Sequence, residues 1–331
     1  DHFREDEVSA RLRSFARVWR NFVGQLPATV EQTIRGDNPD IMIDLAGHTG
    51  MTNRLPLFAR RLAPVQITYL GYPNTTGLSA MDYRFTDALA DPPGDADRFA
   101  TEKLVRFAPT AWTYQPPQDA PACNERPADP AAVVTFGCFN TLAKITDRVL
   151  SVWSGILDAV PGSRLLLKGT GLGIPEVRER YLERFRRLGL PTERIDLVER
   201  TPDTVSHLEV YGRVDVALDT FPYHGTTTTC EALWMGVPVV SLAGDQHMSR
   251  VGVSLLTAAG HPEWLARTPD EYLRIATELV RDRGRLAELR RSLRGQLQQS
   301  PLLDQPGQAA RFGTAIGQCW SEWCRRAVSA A

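Results

Sequence analysis

Between Asp219 and Leu242 the chain reads DTFPYHGTTTTCEALWMGVPVVSL: a glycine, four consecutive threonines and, one turn further on, a lone carboxylate. Gly225 lets a backbone come close to a ligand. Thr226, Thr227 and Thr228 add hydroxyl donors without bulk or charge. The apolar run that follows reads as a helix, whose first amides are unpaired and whose N-terminus carries partial positive charge, a combination that binds phosphate or diphosphate. Glu231 lies three or four residues beyond Thr227 and Thr228, on the same helical face. It would repel phosphate, but it can accept hydrogen bonds from paired sugar hydroxyls, as the acidic residue of dinucleotide folds does from ribose. A loop for diphosphate and an acid for ribose together describe a nucleotide cradle. The plainer reading is that the threonines cap the helix and Glu231 favours its positive end. Capping needs one threonine, not four.

A second candidate is CFNTLAKITD, Cys138 to Asp147. Lys144 there is a movable cation that could neutralise charge building on a departing phosphate, or an ordinary surface lysine. Asn140 and Thr141 could face the same ligand or serve as turn and capping residues. His207 in TPDTVSHLEV stands alone on a helical pattern, where histidines are usually structural or exposed. Asp95-Ala96-Asp97 resembles a metal-binding acid pair, yet PPGDADRF reads as a solvated turn. No cluster has metal-ligand spacing, and no Walker loop, GxSxG or GxGxxG occurs.

The elements that must position these residues alternate. From about residue 130 the chain runs AVVTFGCF (strand), DRVLSVWSGILDAV (helix), RLLLKG (strand), PEVRERYLERFRRLGL (helix), RIDLVER (strand), TPDTVSHLEVYGRV (helix), VDVALDT (strand), TTCEALWMG (helix) and VPVVSLAG (strand). Such alternation predicts an α/β fold with a parallel sheet covered on both faces, and it puts both candidate loops beyond the carboxyl ends of strands. Thr201 and Thr268, each followed by proline, read as helix caps, and Thr268 with Glu271 as a capping box. In the first third, IMIDLAG, VQITYLGYP and DYRFTD read as strands of a smaller α/β unit. The Pro- and Ala-rich APTAWTYQPPQDAPACNERPADPAA reads as a linker. The predicted division is residues 1–125 and 126–331.

Length agrees with two domains, 331 residues being more than one core usually supports. Lys+Arg 38 against Asp+Glu 39 gives a net charge of −1, without the basic footprint of a nucleic-acid binder. The arginine runs RERYLERFRRLGL and RDRGRLAELRRSLRG read as solvated helix faces. Five cysteines without metal-like spacing read as reduced thiols of a cytoplasmic protein. No apolar run reaches the roughly 18–20 residues of a membrane span. The chain opens on Asp1 rather than Met, so it is expected to begin partway through a larger protein, with the opening strands of the first unit upstream.

Three stretches, IDLAGHTGMTNRLPLFARRLAPVQITYLGYPNTTG, FGCFNTLAKIT and LDTFPYHGTTTTCEALWMGVPVVSLAG, closely resemble the catalytic region of O-linked N-acetylglucosamine transferases and their SPINDLY-type relatives, particularly bacterial ones, from about Asp40 to Leu303. The resemblance implies a GT-B architecture of two Rossmann-like domains, the N-terminal one incomplete. It implies an inverting reaction, without metal or cofactor, that moves N-acetylglucosamine from UDP-GlcNAc to serine or threonine hydroxyls of proteins. By the same resemblance Lys144 steadies the leaving diphosphate, and Thr141 meets the nucleotide sugar. Pro202 contacts the uracil by its backbone, and His207 the nucleotide. Thr226, Thr227 and Thr228 form the diphosphate loop, and Glu231 holds ribose. Leu70, Gly71, Tyr72 and Pro73 face the sugar and acceptor, with His48 as a pocket histidine rather than the base. Thr204 and Val210 stand where some relatives carry basic residues, and Thr226 where some carry histidine. The family's general base and its substrate-recruiting helical (TPR) repeats belong upstream. The expected partners are a UDP-sugar, a protein or peptide acceptor and that upstream segment, with no nucleic acid and no membrane. The alternatives are another donor on the same fold, GDP-fucose or UDP-glucose, or a non-catalytic nucleotide-binding fragment.

Overall fold

The computed structural model describes residues 6–50, 53–123 and 132–330. It divides into two compact units, one of Asp1–Thr86, Pro93–Phe107 and Ala310–Ala331, the other of Asp87–Pro92 and Ala108–Ala309.

The first unit opens with helices α1 (Glu7–Phe15) and α2 (Pro27–Asp37). Asn38 ends α2 in the left-handed region at φ 46°, a conformation that asparagine tolerates. Strand β1 (Ile41–Asp44), helix α3 (Leu55–Phe58) and strands β2 (Val65–Tyr69) and β3 (Tyr83–Asp87) follow. β1 pairs parallel with β2, and β2 with β3. Beyond them the chain forms α4 (Asp95–Phe99) and β4 (Lys103–Phe107), a strand that the sequence reading misses and that lies beside β3. Its alternation is blurred by Lys103 and Arg106, which pair with Glu322 and Asp97. Asp95-Ala96-Asp97, expected as a solvated turn, is the solvent-facing first turn of α4, and Asp97 accepts from the Gly94 amide and Arg106.

The second unit carries β5 (Thr135–Cys138), α5 (Asp147–Ala159), β6 (Arg164–Gly169), α6 (Pro175–Arg187), β7 (Ile195–Glu199), α7 (Thr204–Glu209), β8 (Val216–Leu218), α8 (Thr227–Trp234) and β9 (Val239–Leu242). Helix α9 (Val251–Ala258), the two-residue β10 (Leu265–Ala266), α10 (Pro269–Arg281), α11 (Arg283–Gln298) and α12 (Gln305–Ala330) complete the chain. Helix α5 shows the local logic. Thr146 caps it by accepting from the Val149 amide at 3.3 Å, and Val149, Leu150, Trp153, Ile156 and Leu157 recur at helical spacing on its buried stripe. Strand β6 buries Leu165, Leu166 and Leu167 fully, as a sheet covered on both faces requires.

Four sequence expectations change. Residues 108–123 of the expected linker are packed in the second unit: Thr110 and Trp112 are buried, and the Tyr114 amide donates to the Leu302 carbonyl at 2.7 Å. The remainder, 124–131, lies outside the described residues, and the chain passes between the compact units after Thr86, Pro92, Phe107 and Ala309. Asp203, not Thr201, caps α7, accepting from the Ser206 amide at 2.8 Å. Thr268 caps α10 as expected, but Glu271 reaches the Arg267 amide rather than closing the box on Thr268. Finally, Arg290 on α11 is buried rather than solvated, and donates to the carbonyls of Val214 and Tyr211. Among the described residues no helix is long and apolar enough to cross a membrane.

Candidate nucleotide site

The second sheet has the order β10-β9-β8-β5-β6-β7, with every pairing parallel. From β5 the chain winds one way through β6 to β7, then returns to β8 and winds the other way. The direction reverses between β5 and β8, and in open α/β sheets ligands bind where the two loops leaving such a pair diverge. Those loops are the two that the sequence singles out.

They are tied together by one buried carboxylate. Asp219, 3% exposed at the end of β8, accepts on Oδ1 from Asn140 Nδ2 at 2.9 Å, from the Gly225 amide at 2.7 Å and from the Thr220 amide at 2.9 Å. Its Oδ2 accepts from Ser241 Oγ at 2.7 Å. Asn140 also donates to Thr220 Oγ1 at 2.9 Å and accepts from Thr228 Oγ1. A Cβ on Gly225 would run into Thr228 Oγ1 and Asn140 Oδ1, so only glycine lets these three segments meet.

The threonines do not behave as a simple cap. Thr226 occupies the cap position of α8, but its side chain makes no capping bond. Thr228 is turned to Asn140, Thr229 back to the Gly225 carbonyl at 3.3 Å, and Thr227 is exposed. The first-turn amides of α8 therefore lack both an intrahelical and a capping acceptor, which leaves the anion-binding end of the helix open.

Lys144 reaches the loop that leads into this end. Its Nζ donates to the His224 carbonyl at 2.7 Å and lies 3.7 Å from the centre of the Tyr223 ring. Burial lowers its pKa, with the Asp219 charge opposing. The loop is anchored by His224, fully buried, whose Nε2 donates to the Leu242 carbonyl at 2.8 Å while Nδ1 accepts from the Gly252 amide at 2.9 Å. Burial holds that imidazole below its usual pKa, so it stays neutral.

Glu231, one turn into α8, is partly buried. Its Oε2 accepts from His207 Nε2 at 3.0 Å and from the Tyr211 hydroxyl at 3.3 Å. Burial, then the Glu231 charge, pushes the Tyr211 phenol well above its ordinary pKa, so it remains a donor. Thr141 and Pro202 are exposed at the mouths of the loops after β5 and β7. The structure thus brings Asn140, Lys144, His207, Gly225, Thr226, Thr227, Thr228 and Glu231 to one edge of one sheet.

Sequence reading missed Asp219, Tyr211 and Lys168. Asp219 closes a strand and opens the singled-out stretch, a position where a buried acid commonly ties a turn. Lys168 had no signal, since a lysine at the end of an apolar strand reads as the strand's exit to solvent. Cys138 and Cys230 are buried, and burial pushes their thiols up to about 12, which keeps them protonated.

In the first unit, His48 follows β1, and Leu70, Gly71, Tyr72 and Pro73 follow β2, two adjacent strands of parallel sense. His48 Nε2 donates to the Thr76 carbonyl at 2.8 Å, and its ring meets Tyr72 edge-on at 4.9 Å. Leu70 is held at φ 71°, a left-handed conformation that costs a branched residue on the order of 1–3 kcal/mol. A Cβ on Gly71 would strike the Leu45 carbonyl and one on Gly47 the Tyr72 side chain, so these glycines permit the two loops to touch. Among the described residues no group of three or more His, Cys, Asp or Glu is assembled as for a metal.

Residues 24–114 and 122–310 match the family model described as Glycosyl transferase family 41. A Petunia hybrida protein named "Probable UDP-N-acetylglucosamine–peptide N-acetylglucosaminyltransferase SPINDLY" is 45% identical over 307 residues, covering 93% of this chain and 33% of that one. Its Arabidopsis thaliana namesake is 44% identical over 312 residues, covering 94% and 34%. The chain spans about a third of the length of these curated relatives. An O-GlcNAc transferase mutant from Thermobaculum terrenum superposes with a TM-score of 0.90 at 41% identity, over 98% of this chain and 61% of that one. Anabaena HepE, solved in complex with UDP and glucose, shares the fold at a TM-score of 0.54 and 13% identity. The expected GT-B class, two α/β units built on parallel sheets, holds.

Proposed function

Because the chain belongs to glycosyl transferase family 41, we propose that its second unit binds UDP-N-acetylglucosamine and that the protein transfers the sugar to serine or threonine hydroxyls of protein acceptors. The observation that carries this reading is the switch-point crevice, where Asp219 and Asn140 fix an uncapped helix end beside a lysine and a carboxylate. The diphosphate lies on the first amides of α8 with Thr226 and Thr227. The ribose hydroxyls bond the Glu231 carboxylate. Thr141, Pro202 and His207 line the nucleotide, while His48 and Leu70–Pro73 belong to the acceptor side of the reaction.

The acceptor hydroxyl oxygen bonds to the anomeric carbon as the bond from that carbon to the β-phosphate oxygen breaks; the electron pair leaves on UDP, and the hydroxyl proton passes to a diphosphate oxygen or to water. A single displacement inverts the anomeric centre. The charge that grows on the leaving diphosphate is met by the Lys144 ammonium and the helix end rather than by a metal ion.

Calorimetric titration with UDP and with GDP, each in excess EDTA, tests the donor assignment. UDP is expected to bind and to outcompete GDP; preference for GDP, or binding only when a divalent cation is restored, would refute it. Peptide labelling from UDP-N-acetylglucosamine tests transfer itself.

A further inference from the structure

We propose that Lys168 is a positioning residue for the donor's pentose, acting through His207 on Glu231. This rests on the reading of Glu231 as the ribose carboxylate. Lys168 is the penultimate residue of β6 and is 3% exposed, an unusual place for a residue that normally carries its charge into water. Among the described residues no carboxylate pairs with its Nζ. Instead Nζ donates to Thr201 Oγ1 at 2.9 Å and to His207 Nδ1. Burial lowers its pKa, the Glu231 charge opposing that shift from beyond the imidazole.

An ammonium has donors only, so His207 Nδ1 must present its lone pair. The ring proton then sits on Nε2, which faces Glu231 Oε2 at 3.0 Å and donates to it. The opposite tautomer would set an N–H against the ammonium and a lone pair against the carboxylate, two repulsions in place of two hydrogen bonds. Lys168 therefore selects the tautomer, and the tautomer fixes the carboxylate. With Tyr211 also donating to Oε2, the rotation of Glu231 is settled and Oε1 is left for a ligand. A lysine kept merely to fill the end of β6 would be better replaced by an apolar side chain, because an unpaired buried ammonium is costly to hold.

Two measurements test this. Histidine nitrogen NMR on the wild-type protein is expected to show His207 protonated on Nε2 with a bare Nδ1; the Nδ1–H form would overturn the proposal without any variant having to fold. Calorimetry with UDP is expected to show Lys168→Met binding about tenfold more weakly than wild type, with Lys168→Arg recovering most of the loss. Inorganic pyrophosphate, which lacks a pentose, is expected to bind wild type and Lys168→Met alike. In a His207→Ala background, adding Lys168→Met is expected to change UDP affinity by less than about twofold, because the intermediary is gone. Full additivity there, or an equal loss of pyrophosphate binding, would overturn the proposal. UDP binding that depends on Glu231 but ignores Lys168→Met would overturn it alone, whereas UDP binding that ignores Glu231→Gln would remove the donor-site reading beneath it.

Discussion

Asn140 Nδ2 lies 2.9 Å from Asp219 Oδ1, a bond between side chains 79 positions apart that joins the two loops leaving the middle of the second sheet. Asn140 Oδ1 receives Thr228 Oγ1 in turn, so a single amide holds strand end, loop and helix start in register. Asn140→Ala is expected to lower stability by about 1–3 kcal/mol in urea unfolding, since Asp219 and Thr228 lose a buried partner. It should weaken UDP binding as well. Asn140→Asp should be worse on both counts, because it sets a second buried carboxylate beside Asp219; a variant as stable as wild type would show that the tie is dispensable.

Lys144→Ala is expected to cost about 10²–10³ in the rate of sugar transfer, with circular dichroism and unfolding midpoint little changed. The pH dependence has a definite sign. Burial lowers the pKa of this lysine from 10.5, so the cation is lost as pH rises through a value below the ordinary lysine range. The alkaline limb of kcat/KM, which reports the free protein, should therefore fall early, and that of kcat later, because bound diphosphate restores the charge. Lys144→Arg should abolish that limb.

Glu231→Ala separates the two ends of the nucleotide. UDP affinity is expected to fall about tenfold or more, the range for a hydrogen bond to a charged group, while affinity for inorganic pyrophosphate stays the same or rises as a negative charge is removed. Equal losses for both ligands would mean that the carboxylate shapes the loop rather than holding ribose.

His224 gives a stability signature. Its folded pKa is depressed below 6.5 by burial, so between that value and the folded pKa the unfolded chain binds a proton that the folded one does not. Stability therefore falls as pH drops below about 6.5, by up to about 1.4 kcal/mol per pH unit, and levels once the folded pKa is passed. Urea midpoints of wild type and His224→Gln across pH 4–8 are the check. The glutamine variant should lack this part of the acid slope, and parallel slopes would contradict it.

Alternating apolar runs were enough to read the second sheet and the side of it on which the loops open, because strands buried on both faces leave an unbroken sequence signal. The threonine run and Glu231 were readable for a different reason: more hydroxyls stood there than capping could use. What was hidden depended on distant partners. Asp219 looks like a turn acid until Asn140, Gly225 and Ser241 converge on it. Lys168 looks like a strand exit until Thr201 and His207 close over it, and Thr201, two residues before the cap of α7, is turned to Lys168 instead. Arg290 follows the same rule: arginines three and four apart look solvated, yet the Val214 and Tyr211 carbonyls draw one of them inward. The strand β4 was masked by charged residues whose partners, Asp97 and Glu322, come from elsewhere in the first unit.

The most direct measurement is a crystal structure of this chain with UDP, grown in EDTA. The diphosphate is expected on the first amides of α8 within reach of Lys144, and the ribose 2′- and 3′-hydroxyls on Glu231. A nucleotide bound elsewhere, with the crevice between the loops after β5 and β8 empty, would contradict the account.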